Sequence, residues 1–272
     1  MQLILGMQCA HDGSLARSAD RQARLADLVV DPRWVHPFKL VSVGYIPTMD
    51  REPRFPGQIP RTQLRASALT SLASASAEYV SFSTSKKEVS DHADFKVDTG
   101  RHTVYQPDAP QFANAKWRVP PNVDLESAVA AWVELQHAVI ETIAALHAVI
   151  VTATNPYVMS AERWLSLTSV DDTVMHPHPE EISAYARKRD QLGKEYVRKP
   201  RWGTYLKPAH VAAVGGREKI LAVVKPPVVR DVGDLLYVQL SERVSDATSE
   251  AAKARWQAFA DLLAPITVPM HG

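Results

Sequence analysis

The chain has 272 residues, 46% hydrophobic and 22% charged, enough to bury a substantial core as one large domain or two small ones. Its 31 lysines and arginines against 30 acids leave a net charge of +1, so overall charge argues for neither a nucleic-acid nor a membrane-surface partner. The lone cysteine, Cys9, excludes an intrachain disulfide and fits a reducing compartment.

In chain order, Leu3 to Met7 is an apolar run too short for a secretory signal, with no lysine or arginine before it. Gly6-Met7-Gln8-Cys9 lacks the small residue a lipoprotein cleavage site wants. No run approaches the roughly 18 apolar residues of a membrane span, and a cytoplasmic location is the expectation. Residues 1–36 balance Arg17, Arg21 and Arg24 against Asp12, Asp20 and Asp27; a helix fits Leu15, Leu25, Leu28 and Val29, but order in this terminal segment is left open. Phe38 to Ile46 alternates as a strand, and Pro47 to Pro60 reads as a proline-rich loop. Thr62 to Ala77 reads either as a helix through Leu64, Ala68, Leu69 and Leu72 or as a flexible Ser/Ala linker. Tyr79 to Phe82 continues as a strand. Ser83 to Pro121 carries no sustained pattern, only short edge strands at Val104-Tyr105 and Trp117 to Val119.

Asp124 stands where a helix cap belongs. From Leu125 through Val129, Trp132, Gln136, Val139, Ile143 and Leu146 the steps of three and four predict a helix more than 30 Å long. Ala148 to Thr154 reads as a buried strand ended by Asn155-Pro156. Short helices are expected at Ser160 to Leu167 and Glu180 to Gln191.

The densest signals fall between Trp202 and Leu240. Trp202, Tyr205 and Leu206 make an aromatic strand; Pro208 opens a helix that stops at Gly215-Gly216. Arg217 to Val224 forms a second helical turn ended by Pro226-Pro227, and Val228 to Val232 and Leu235 to Leu240 make a hairpin around Gly233-Asp234. A last helix, about Asp246 to Leu263, turns Trp256, Phe259, Ala260 and Leu263 inward. Without a regular βαβ repeat, these elements predict an α+β fold: a mixed or mostly antiparallel sheet with helices mainly on one face. Residues 37–272 are taken as one domain behind the terminal segment.

The sequence from Trp202 to Leu206, the Pro208, Val211, Gly215-Gly216 helix and the strand ending Gln239-Leu240 resemble the C-terminal part of bacterial toxin-immunity proteins. These are found beside type VI secretion effectors and other polymorphic toxins, and the likeness is nearest to the TsiT type, partners of restriction-endonuclease-fold nucleases. The resemblance is strongest over residues 195–265, extends over 124–170 and is slight before that. It is carried by structural positions, so it brings no catalytic residue with it.

Constellations of chemically active residues are few. Glu134, His137 and Glu141 share a helix face, but E-x-x-H is half of a di-metal site and no second copy occurs. His176-Pro177-His178 near Asp171 and Asp172 reads as a rigid turn before a metal site. Residues 187–201 hold seven basic residues against Asp190 and Glu195, a stripe with the charge to bind phosphate. Asp94-Phe95-Lys96 and Pro107-Asp108 contain the pieces of a nuclease pattern in reversed order, in a region read as unstructured. No nucleophile elbow, P-loop, dinucleotide fingerprint or zinc motif occurs.

The reading is therefore a binding protein with no catalytic residues, no metal and no cofactor: an immunity protein neutralising a secreted DNase-type toxin one-to-one. The alternative is a nucleic-acid-binding protein or hydrolase using residues 187–201. Against a basic nuclease surface the candidate contacts are Asp171, Asp172, Glu180, Glu181, Asp231 and Asp234. Tyr157, Tyr185 and Trp117 are the candidate aromatic anchors.

Overall fold

The computed structural model describes residues 3–34, 38, 40–45, 59–75, 77–84, 93–99, 110–153, 188 and 191–268. The chain divides into two compact units, residues 11–145 and residues 1–10 with 146–272. The first ten residues belong to the unit built by the C-terminal half.

The unit of residues 11–145 contains α1 (Ala19–Val29), β2 (Leu40–Tyr45), α2 (Arg61–Ala73), β3 (Ala77–Ser83), β4 (Ala93–Asp98), β5 (Gln111–Arg118) and α3 (Leu125–Thr142). Its strands follow the order β2-β3-β4-β5, each paired antiparallel with the next. Ser18 caps α1 by accepting the Arg21 amide at 3.3 Å, and Gln22, Leu25, Ala26 and Val29 form its buried stripe. In α2 the buried positions are Leu64, Ala68 and Leu72, one every fourth residue, which fixes a helix where a linker was also open. On β4, burial alternates: Ala93, Phe95 and Val97 face inward. Cross-strand register sets Phe82 opposite Phe95, ring against ring, and Phe95 opposite the small Ala115. Trp34, Phe38, Phe82 and Phe95 form a chain of ring contacts with centroids 4.8 to 6.2 Å apart.

The helix after Asp124 is shorter than its apolar stripe predicts. It ends at Thr142 after 18 residues, about 27 Å, and Ala144 at φ 52° turns the chain directly into a strand. Leu146 thus belongs to that strand, not to the helix.

The other unit contains β1 (Ile4–His11), β6 (Ala145–Ala153), β7 (Gly203–Leu206), α4 (Pro208–Ala213), α5 (Arg217–Val224), β8 (Val228–Val232), β9 (Leu235–Gln239) and α6 (Glu250–Leu263), β1 and β6 crossing the boundary by one residue. The order is β1-β6-β7-β9-β8, and β6/β7, β7/β9 and β8/β9 pair antiparallel. All eight residues of β1 are buried, so the terminal segment left open in the sequence supplies a core strand. Tyr205 and Tyr237 face each other across β7 and β9 with ring centroids 4.6 Å apart. A Cβ on Gly203 would sit 2.8 Å from the Tyr237 ring, which is why glycine starts β7. Every residue of β7 and β9 is buried, so this part of the sheet is covered on both faces. The molecule is of the mixed α+β class, with antiparallel pairing at each of these ladders.

Candidate partner-binding surface

Asp231 and Asp234 lie on the β8–β9 hairpin and both are exposed. Gly233 at φ 55° makes the reversal between them. Arg217, at the start of α5, donates from Nη1 to both carboxylate oxygens of Asp231, at 3.0 and 3.1 Å. An exposed pair of this kind contributes about 0–1 kcal/mol, so Asp231 can exchange Arg217 for another cation at little cost. Asp171, Asp172, Glu180, Glu181, Tyr157 and Tyr185 lie outside the described residues, as do His176, His178 and Pro107-Asp108.

Trp117 is not a loop anchor. It lies on the inward face of β5, 0% exposed, with its ring nearly parallel to that of Trp132 on α3 and 6.2 Å away. The segment around it is likewise structured where the sequence suggested none: Asp94, Phe95 and Lys96 are consecutive residues of β4. The charges fall on the outer positions of β4, and their alternation with Ala93, Phe95 and Val97 is the strand signal.

The helix face proposed to carry Glu134, His137 and Glu141 does not hold together. Both glutamates are exposed while His137 is buried, and Glu141 pairs with Arg24 of α1 at 2.6 Å. Among the described residues no group of three or more His, Cys, Asp or Glu side chains is placed to hold a metal.

The basic stripe is turned partly inward. Arg198 is 7% exposed, its guanidinium bonded to the Gln8 side chain of β1, and Arg201 is 1% exposed. Its neighbours explain the burial. The His147 imidazole on β6 donates from Nδ1 to the Tyr205 carbonyl at 2.7 Å and accepts the Arg198 amide at Nε2, 3.1 Å away. These two bonds fix a neutral ring with its proton on Nδ1. His210 of α4 lies edge-on to it, centroids 6.2 Å apart, and is itself buried. Burial, the nearby His210 and the cations Arg198 and Lys207 hold His147 down to about 3. Burial and then Lys207 hold His210 down to about 4. The sequence reading of this helix, from Pro208 to Gly215-Gly216, did not single out His210.

Cys9 lies on β1 in the same unit. Burial pushes its thiol well above the ordinary range, against a smaller opposing effect of Arg198. The thiol should therefore be silent toward an aromatic disulfide reagent in native buffer and react stoichiometrically in denaturant. Rapid native labelling at neutral pH would contradict the burial of β1.

No helix among the described residues is long and apolar enough to cross a membrane. No family model matches the chain, and no curated protein matches it. Among solved structures, the Pseudomonas aeruginosa T6SS protein PA0821 superposes with a TM-score of 0.60 at 13% identity, covering 99% of this chain and 76% of that one. At that identity the likeness establishes a shared fold.

Proposed function

We propose that this chain is an immunity protein that binds and neutralises a cognate secreted toxin, a nuclease effector of a type VI secretion system, by direct one-to-one association in the cytoplasm and without turnover. The observation that carries the reading is the likeness in fold, over 99% of the chain, to a protein named as a T6SS protein. It agrees with the resemblance of the Trp202 to Leu240 region to immunity proteins. Burial of Arg198 and Arg201 supports it from the other side, because a nucleic-acid-binding stripe needs those cations in solvent.

A nuclease holds DNA on a positive surface, and an inhibitor that presents carboxylates there gains association rate and selectivity. Asp234 and the exchangeable Asp231 are suited to this, with the acids and tyrosines of residues 157–185 as further contacts. The test is to purify the chain with the toxin domain encoded beside it. Near-stoichiometric addition should abolish DNA cleavage, and the chain alone should show negligible DNA affinity at 50 mM salt. Asp231→Lys with Asp234→Lys should slow association by tenfold or more, most strongly at low salt. Salt-sensitive DNA binding or hydrolysis by the isolated chain, with the toxin left active, would replace this reading.

A further inference from the structure

Three side chains in the core of the residue 11–145 unit keep polar atoms without a hydrogen-bonding partner in the protein: Trp117 Nε1, Trp132 Nε1 and both ends of the Gln136 amide. Each of the three residues is 0% exposed. They are neighbours, since Trp117 stacks on Trp132 and Gln136 follows Trp132 by four residues on the same buried face of α3. A buried glutamine unsatisfied at both ends is costlier than a methionine of similar shape, so an amide kept at this position calls for a partner.

The inventory of atoms identifies the kind of partner. Two indole N–H groups and an amide NH2 offer donors, against a single amide oxygen. The missing ligand must mainly accept, and it must also donate once. A buried anion without a counter-charge would be penalised heavily among Val129, Val139 and Ile140. Side chains one helical turn apart are neighbours on the helix surface. From this juxtaposition we infer that Trp117, Trp132 and Gln136 enclose an internal water site that ties α3 to β5. Water accepts two hydrogen bonds and donates two, so one molecule can accept from both indoles and donate to the amide oxygen, within the two to four polar partners such a site needs.

The test rests on a sign. Gln136→Met removes the amide and keeps its shape. If water bridges the site, the exchange leaves that water and the indoles short of partners, and the melting temperature falls by about 3–8 °C. If nothing occupies the site, the exchange deletes an orphaned amide and the melting temperature rises. A second reading on the unmodified protein guards against a variant that does not fold: the Trp117 and Trp132 indole N–H resonances should show direct cross-relaxation with long-lived water. A rise in melting temperature, or indole protons without water contact, overturns the inference.

Discussion

Lowering the pH from 7 to 5 should remove about 4 kcal/mol of stability from the unit that contains His147 and His210. Both rings are buried and held below the ordinary histidine value, to about 3 and about 4. The sign follows from which state binds the protons. In the unfolded chain each ring titrates near 6.5, while in the fold both stay neutral until the pH nears 4. Between those limits the unfolded state holds two more protons than the folded one. Stability is therefore complete above about 6.5 and lost as the pH falls, at up to about 2.7 kcal/mol per pH unit for the pair. Against a usual total of about 5–15 kcal/mol this is a large share. His11 in the other unit is held down to about 4, chiefly by burial, and adds one further proton there.

Urea unfolding at pH 7, 6 and 5, followed by amide exchange in β6, β7 and β9, measures the effect. His210→Met is the informative variant, because both His147 ring nitrogens are tied into the fold, to the Tyr205 carbonyl and the Arg198 amide, and must be kept. The variant should lose about half of the pH slope and keep the neutral-pH fold. A midpoint that stays level between pH 7 and 5 would mean that these histidines are not buried neutral.

The parts of the fold visible in the sequence are those fixed by local chemistry. Pro208 at the first position of α4, Gly215 and Gly216 at φ 97° and 93°, and the Gly233 turn all act within a few residues, and the elements from Gly203 to Gln239 fall where their signals lie. What was hidden depends on distant partners. Gln8 and His11 make β1 look polar, yet Gln8 is buried against Arg198, 190 residues away. The inward turn of the basic segment rests on His147, 51 residues before Arg198. β4 was missed, and β5 was seen only at its end as an edge strand from Trp117, for a different reason. Their period-two pattern was present, but Asp94, Lys96 and Lys116 on the outer positions made it read as a charged loop. The α3 stripe carried past Thr142 because apolar residues serve both the end of the helix and the strand that follows.

Trp117→Ala separates the two roles that the sequence left open for this residue. As a surface anchor, Trp117 would tolerate truncation within about 0.5 kcal/mol of stability, while toxin binding would fall by several kcal/mol. Its place on β5 reverses both expectations. Truncation leaves a cavity against Trp132 and opposite Ala93, and large-to-alanine changes of buried tryptophan cost about 3–5 kcal/mol. The unit of residues 11–145 should therefore unfold at markedly lower urea, with loss of near-ultraviolet signal from the stacked indoles. Toxin neutralisation per folded molecule should remain intact at low temperature. Trp117→Phe keeps a ring against Trp132 and should cost less than alanine, which ties the loss to packing, since neither variant retains the indole N–H. A Trp117→Ala protein of unchanged stability that no longer binds the toxin would return this side chain to the surface and undo the β5 register on which the core of that unit is built.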